Sequence, residues 1–246
     1  MATYSTTAIT LQARKYKGTG RVVSFYTHER GKVEAVAEGI GRPMSKLAAA
    51  VEPFTVSRLL LSEGKQLDRL SQAEVLESHL RLRTDILRLA YASYVAELVA
   101  RTTEPYHPEP PLFELLSDSL DALCDDDDPE MVMWSFVLGF LDRQGLAPDL
   151  ATCCRCGVVA GLEVTYMPAE GGVACPACTP QGRGMDICPE ARAVAHSLRK
   201  MGPARAGRLT LGDEARAQLR RILDTHVEHQ YGFEPKSRRF LAQVRG

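Results

Sequence analysis

The sequence lacks a membrane span, a secretion signal and the short motifs of several common enzyme classes. No stretch reaches the roughly 18 consecutive apolar residues that a membrane-spanning helix needs, and residues 1–5 have neither the basic nor the apolar part of a signal peptide. The chain contains no G-x-x-x-x-G-K-[ST] loop, no G-x-S-x-G elbow and no H-E-x-x-H pair. We therefore expect a cytoplasmic protein, with no membrane partner, that is not an enzyme.

The cysteines indicate a metal site rather than a disulfide framework. Of the seven cysteines, Cys153 and Cys156 form one C-x2-C pair, and Cys175 and Cys178 form a second pair, with 18 residues between the two pairs. This spacing is typical of a four-thiolate zinc site. Four thiolates fill a tetrahedral shell and leave no position for water or substrate, so we expect a structural Zn²⁺. Cys154 does not fit the x2 spacing, and Cys188 lies ten residues past Cys178.

Charge is segregated along the chain, although the net charge is only −1. Residues 1–70 carry 11 Lys and Arg against 6 Asp and Glu, a balance of +5. Residues 71–150 carry 5 against 16, a balance of −11, and residues 151–246 carry 14 against 9, again +5. Two basic ends around an acidic middle favour contact with a polyanion at the ends. Scattered solvated charge is the simpler alternative.

Residues 1–70 read as five short strands. Alternating apolar residues and turn signals predict strands near 9–14, 22–26, 32–37, 54–61 and 66–70. Five strands in so short a stretch suggest an OB-type barrel, a class that binds single-stranded nucleic acid with basic and aromatic side chains. Tyr16 and Tyr26 are possible stacking residues. The candidate DNA-binding residues are Arg14, Lys15, Lys17, Arg21, Lys32, Arg42 and Lys46.

Helices account for most of the remaining chain. Ser71 and Glu74 have the spacing of a capping box, which predicts a helix from Ser71 to about Arg101. Helices also follow from the pattern near residues 111–123, 131–141, 190–201 and 213–229. Asp128 followed by Pro129 predicts the N-terminal cap of the helix near residues 131–141. His226 and His229 are read as surface residues, because no third metal ligand lies nearby in the sequence.

The predicted fold class is α+β and multidomain. We expect an OB-fold nucleic-acid-binding domain at 1–70, a helical domain at 71–150, an inserted zinc module at 151–185, and C-terminal helices at 186–246 that pack on the helical domain. The C-terminal basic block adds further candidate DNA-binding residues, which are Arg216, Arg220, Lys236, Arg238 and Arg239.

With these residues laid out, the chain resembles the RecO family over nearly its full length. The resemblance rests on Arg30-Gly31-Lys32-Val33 with Val36-Ala37-Glu38-Gly39, and on the stretch from Leu47 to Leu61. It continues in Leu138-Gly139-Phe140 and in 145–150, which lead into the first cysteine pair, and it ends in the stretch from His229 to Leu241. Many relatives are basic where this chain has Glu38-Gly39-Ile40-Gly41, which shifts the expected DNA contacts toward Arg14, Lys15, Lys17, Arg42 and Lys46.

The resemblance implies a recombination mediator. RecO-like proteins bind single- and double-stranded DNA, anneal complementary strands, and act with RecR to load RecA onto DNA coated by single-stranded DNA-binding protein (SSB), without breaking covalent bonds. A nucleoid-associated location follows from the same resemblance. Relatives bind the acidic, Phe-ending tail of SSB on the helical domain, where Arg81, Arg83 and Arg88 are candidates. The alternatives are a zinc-ribbon and OB transcription or RNA-binding factor without annealing activity, and an enzyme with an unrecognised carboxylate site.

Overall fold

The computed structural model describes residues 2–40, 46–180 and 182–245, with the side chain of Lys46 left out. Within these ranges the chain forms two compact units. Unit 1 comprises Met1–Asp125 and Lys236–Gly246, and unit 2 comprises Asp126–Pro235. The described part of the chain has no helix both long enough and apolar enough to cross a membrane.

Unit 1 begins with five strands that close into a barrel in the order β1-β2-β3-β5-β4. The strands are β1 (Thr3–Lys15), β2 (Arg21–Thr27), β3 (Gly31–Ala37), β4 (Val56–Ser62) and β5 (Asp68–Glu77), with the short helix α1 (Lys46–Ala50) between β3 and β4. β1 pairs antiparallel with both β2 and β4, and β3 pairs in parallel with β5. Alternating apolar side chains fill the interior, among them Ala8, Val23, Phe25, Val33, Leu59 and Leu61.

The predicted helix from Ser71 to Arg101 is wrong in its first part. Residues up to Glu77 continue β5, where Ser71 Oγ donates to the Leu60 carbonyl and Glu74 accepts from Arg58 at 2.9 Å. Arg58 and Glu74 are direct cross-strand partners, so pairing with β4 decides the conformation of this segment. The capping-box interpretation of Ser71 and Glu74 therefore fails. Helix begins only at α2 (Leu80–Thr84) and α3 (Ile86–Thr102).

Two further helices complete unit 1. α4 (Pro110–Asp125) confirms the helix predicted at 111–123, and α8 (Lys236–Arg245) packs on α3. Glu97 of α3 accepts hydrogen bonds from the backbone N–H groups of Lys236 and Ser237 and from the Ser237 hydroxyl. A carboxylate at this position satisfies the free N–H groups of the first turn of α8. The C-terminal helix is thereby held on unit 1.

Unit 2 contains three long helices and a small sheet. The helices are α5 (Pro129–Arg143), α6 (Pro189–Met201) and α7 (Asp213–Tyr231), and the sheet order is β6-β8-β7-β9. Its strands are β6 (Asp149–Cys153), β7 (Thr165–Met167), β8 (Gly172–Ala174) and β9 (Met185–Asp186). The predicted cap of α5 is confirmed, because the Asp128 carboxylate accepts from the backbone N–H of Met131. Trp134 is buried in the middle of α5.

Candidate metal centre and nucleic-acid interface

The two cysteine pairs converge on one point in unit 2. Cys153 ends β6, Cys175 follows β8, and the sulfur atoms of Cys153, Cys156, Cys175 and Cys178 all lie within 4.8 Å of one another. The Cys156 and Cys175 sulfurs are 3.8 Å apart. A tetrahedral zinc site with Zn–S bonds of about 2.3 Å requires sulfurs about 3.8 Å apart. The four thiols therefore fit a tetrahedral metal ion.

Backbone N–H groups near the cluster favour the thiolate form of Cys153, the form that binds a metal ion. Backbone N–H groups of Cys175, Cys156 and Arg155 point at the Cys153 sulfur and lower the pKa of its thiol to about 6. Hydrogen bonds with the thiols of Cys156 and Cys175 act in the opposite sense and raise the pKa of Cys178 to about 12. Because thiolates repel one another at this distance, a divalent ion is what allows all four to ionise together.

Hydrogen bonds outside the cluster hold the two cysteine loops together. The Arg155 guanidinium binds the Glu170 carboxylate with both Nε and Nη2, and it donates to the Cys178 carbonyl at 2.9 Å. The same contact with Arg155 lowers the pKa of Glu170 to about 2. Cys154 donates from its sulfur to Glu170 at 3.1 Å and stays outside the cluster, as its spacing predicted.

The histidine interpretation needs correction. His226 is buried rather than on the surface, with Nδ1 2.6 Å from the Tyr166 hydroxyl and Nε2 2.6 Å from the Leu146 carbonyl. Nε2 must carry the proton to donate to a carbonyl, so Nδ1 accepts from Tyr166. Burial lowers the pKa of His226, in keeping with this neutral ring. The histidine links the sheet to α7.

The β1–β2 hairpin brings five of the predicted contact residues together. Lys15 pairs with Arg21 across the hairpin, and Tyr16 and Lys17 occupy its exposed turn. Arg14 contacts Glu34 at 3.4 Å and Arg21 contacts Glu52 at 3.3 Å, both on the protein surface. Lys15 and Lys17 have no ion-pair partner among the described residues. We name this cluster of Arg14, Lys15, Tyr16, Lys17 and Arg21 the cationic hairpin.

Two other residues of the barrel that were predicted to contact DNA, Lys32 and Tyr26, are engaged or buried within unit 1. The Lys32 ammonium donates to the carbonyls of Ala100 and Thr103 at the C-terminus of α3, and burial lowers its pKa. This cation therefore caps a helix. Tyr26 is fully buried and cannot stack on a base. Arg42 and the side chain of Lys46 lie outside the described residues. Their contact with DNA therefore stays a prediction.

Arg216 and Arg220 belong to an ion-pair network within unit 2. Arg216 contacts Asp128 at 2.5 Å and Glu130 at 3.0 Å, and Arg220 contacts Glu130 at 2.8 Å. Glu130 is buried, so these arginines compensate a carboxylate that would otherwise be costly to bury. The structure therefore gives both arginines a role in packing α7 against α5, and their contact with DNA stays a prediction.

The three arginines considered for the SSB tail are also engaged within unit 1. Arg88 is buried and donates to the Leu123 carbonyl. Arg83 donates to the carbonyls of Pro53 and Ser78. Arg81 is exposed and lies 3.7 Å from Asp125. These contacts join α2 and α3 to the barrel and to α4, and they do not form a basic pocket.

The basic residues of the C-terminal tail lie on α8 in unit 1. Lys236 and Arg239 are exposed and Arg238 is half-buried. The sequence could not place them beside the barrel, because residues 126–235 of unit 2 separate them from the rest of unit 1.

Unit 2 contains a groove that was not predicted from the sequence. It has a volume of about 810 Å³ and is lined by apolar residues of α5, of the β6 region and of α6, together with Arg192, His196 and Arg199. These three residues follow the i, i+4, i+7 spacing of one helix face, a signal that was present in the sequence. Arg192 donates to the carbonyls of Leu150, Ala160 and Gly161.

Two family models together match almost the whole chain. The model described as "Recombination protein O N terminal" matches residues 1–79, and "Recombination protein O C terminal" matches residues 83–239. Among similar proteins is a DNA repair protein RecO of Symbiobacterium thermophilum, 37% identical over 251 residues that cover 100% of this chain and 99% of the relative. A DNA repair protein RecO of Bacillus subtilis is 32% identical over 237 residues, covering 96% and 92%. The chain belongs to the RecO family.

Proposed function

We propose that this protein is a DNA-binding recombination mediator of DNA repair that anneals complementary single strands. The cationic hairpin is the observation that carries the proposal, because Lys15 and Lys17 are exposed without acidic partners among the described residues and flank the exposed Tyr16. Unpaired cations neutralise phosphates with release of counterions, and an exposed aromatic ring can stack on a base. The strand order of the barrel supports an OB-type fold for this surface.

The four-cysteine site is proposed to hold structural Zn²⁺. Cys153, Cys156, Cys175 and Cys178 supply four sulfurs at distances that suit the ion, and they leave no position for substrate. The ion would supply cross-linking of two loops rather than chemistry. In keeping with this role, we propose that the protein binds and aligns strands and is not an enzyme.

The partners follow from family membership. We propose that the protein acts with RecR to help load RecA onto strands coated by SSB. The groove of unit 2 is the proposed site for the acidic, Phe-ending tail of SSB, because apolar residues line it together with Arg192, His196 and Arg199. The two carboxylates in its lining are already engaged, Asp142 by Arg199 and Asp149 by backbone N–H groups. This groove replaces Arg81, Arg83 and Arg88 as the proposed tail site.

Strand annealing tests the proposal directly. Two complementary oligonucleotides, each carrying one dye of an energy-transfer pair, are mixed with and without protein over a salt series, with one strand bare or coated by SSB. We expect acceleration that falls steeply with salt. The double variant Lys15→Glu/Lys17→Glu should anneal at least about tenfold more slowly, since it reverses two charges. The matched control Lys65→Glu/Lys200→Glu changes net charge equally at exposed positions outside the hairpin.

The result also separates the alternatives. Tight binding to DNA and RNA alike without annealing would support a zinc-ribbon and OB binding factor instead. Equal annealing by both double variants would contradict the assignment to the cationic hairpin.

A further inference from the structure

A cleft in unit 1 is built from segments that are far apart in the sequence. Its volume is about 620 Å³, within the range of about 300–1,000 Å³ that ligand pockets show. Its wall comes from residues 11–13 of β1, from Pro53 and Phe54 before β4, from α3, and from Lys236 and Ser237 of α8. The cleft therefore joins the barrel to the basic C-terminal helix.

The lining combines apolar surface with two free polar groups. Leu11, Ala13, Phe54, Leu89 and Ala96 form the apolar part. The Gln12 amide and the Ser93 hydroxyl also line the cleft, and neither side chain has a hydrogen-bond partner within the described ranges. Apolar walls with a few unpaired polar groups are what a planar heterocycle with a polar edge requires.

The charges at the rim favour an anion. Lys236 and Arg101 line the cleft together with a single carboxylate, that of Glu97. Glu97 already accepts hydrogen bonds from Arg101 and from the first turn of α8, so its charge is largely compensated. Lys236 is exposed, and only its backbone N–H is used by Glu97. A net positive rim remains, which suits a phosphate group.

Part of the wall has a strained backbone that hydrogen bonds hold in place. Phe54 has a φ of 69°, a left-handed conformation that is strained for a bulky residue. Its N–H donates to the Thr10 carbonyl at 2.7 Å, and its carbonyl accepts from His79 Nδ1 at 2.7 Å. The strand β1 also shifts register between Thr10 and Gln12, at the edge of the cleft. Bulges of this kind re-aim side chains beside binding sites.

We propose that this cleft binds one nucleotide of single-stranded DNA. The base lies against the apolar wall, Gln12 and Ser93 face its polar edge, and Lys236 contacts the phosphate. The inference rests on the proposed DNA-binding function and extends it, because the cleft would position one nucleotide of a bound strand against a rigid wall. It also gives Lys236 of α8, a DNA contact predicted from the sequence, a specific position at this cleft.

Fluorescence of a single-stranded oligonucleotide that contains one 2-aminopurine tests the cleft, with anisotropy measuring affinity over a salt series. Ser93→Phe fills the cleft and should weaken binding about tenfold, with loss of the change in 2-aminopurine emission, since a filled cleft cannot hold a stacked base. Ser93→Ala should weaken binding by only about two- to fivefold, less than Ser93→Phe, because it removes one polar contact with the base but leaves the cleft open. Lys236→Gln should lower the salt slope by about 0.7, the value for one phosphate contact on a single strand.

Lys200→Gln in unit 2 is the matched charge control and should leave the slope unchanged. If Ser93→Phe does not fold, Lys236→Gln alone still decides the question. Binding of Ser93→Phe and Lys236→Gln equal to that of the unaltered protein would overturn the cleft assignment while leaving the proposed function in place. An unaltered protein that binds no single strand at all would overturn both.

Discussion

The barrel of unit 1 and the four-cysteine module of unit 2 are stabilised in different ways. The barrel buries a continuous apolar cluster that includes Phe25, Leu59 and Leu61. The module buries very little by comparison, and its small cluster consists of Cys153, Met167 and Ala174 with two more cysteines packed against them. Apolar burial can therefore account for the stability of the barrel, whereas we expect the stability of the module to depend on a metal ion held by its four sulfurs.

The helices of unit 2 also depend on buried polar contacts, unlike the apolar interior of the barrel. α7 is fastened to α5 by Arg216, Arg220 and the buried Glu130, and His226 joins α7 to the sheet. Such contacts specify one packing arrangement, but removing one partner of a buried ion pair lowers stability strongly, because the other charge stays buried without compensation. The two units should therefore respond differently to metal removal, to charge deletion and to truncation of the core.

Removal of the metal should have the largest effect. We expect a strong chelator, or Cys156→Ser, to unfold the module of residues 151–185, because the two cysteine loops then lose their cross-link and the module buries little apolar surface. The barrel should remain folded. Amide hydrogen exchange, read separately over residues 2–77 and 149–187, measures both responses.

Cys154→Ser is the matched control, since its sulfur lies outside the cluster. Loss of protection in Cys154→Ser equal to that in Cys156→Ser would argue against the four-thiolate site. Unchanged protection of the module after complete chelation would show that it does not depend on a metal ion.

Glu130→Ala should have the next largest effect, a decrease in the free energy of unfolding. It leaves Arg216 and Arg220 without their buried carboxylate, and breaking a buried pair in this way costs about 3–5 kcal/mol. Urea unfolding measures the change in the free energy of unfolding. Asp142→Ala is the matched control, because it removes the exposed pair with Arg199, which we expect to contribute less than about 1 kcal/mol. Equal effects of the two variants would contradict a buried network.

Leu59→Ala tests how much apolar burial contributes to the stability of the barrel. Leu59 is buried in the barrel, and truncation to alanine there should cost about 2–5 kcal/mol through lost apolar contact and a residual cavity. Zinc content and hydrogen-exchange protection of the module should stay unchanged below the unfolding transition of the barrel. Loss of zinc together with barrel stability would show that the two regions are energetically coupled.

Local patterns predicted much of this structure correctly. The five strands follow from alternation, the cysteine cluster from its spacing, and the start of α5 from Asp128 and Pro129, all signals contained within a few residues. The failures are contacts over long sequence separations. Ser71 and Glu74 match a capping box, but the pairing of β5 with β4 prevails, since Arg58 lies opposite Glu74.

The sequence also does not show which basic residues have acidic partners far away in the chain. Arg216 and Lys15 look alike in the sequence, and only the structure shows Asp128, 88 residues before Arg216, within hydrogen-bond distance. The position of α8 depends on Glu97, 139 residues before Lys236. A basic residue is therefore a credible DNA contact only after its internal acidic partners are known.

Glu97→Gln should have the smallest effect, and it is the one that depends on pH. Burial by itself raises the pKa of Glu97, but hydrogen bonds from Ser237, Lys236 and Arg101 outweigh it and lower that pKa. A lowered folded-state pKa contributes stability that is present above the unfolded value and is lost as the pH falls through the folded value. We expect Glu97→Gln to cost about 1–3 kcal/mol at neutral pH, because it removes a charged acceptor at the N-terminus of α8. The difference from the unaltered protein should shrink as the medium becomes acidic enough to protonate Glu97. Unfolding measured by circular dichroism from neutral to acidic pH tests this, and a difference that stays constant over the range would mean that Glu97 does not anchor α8 through its charge.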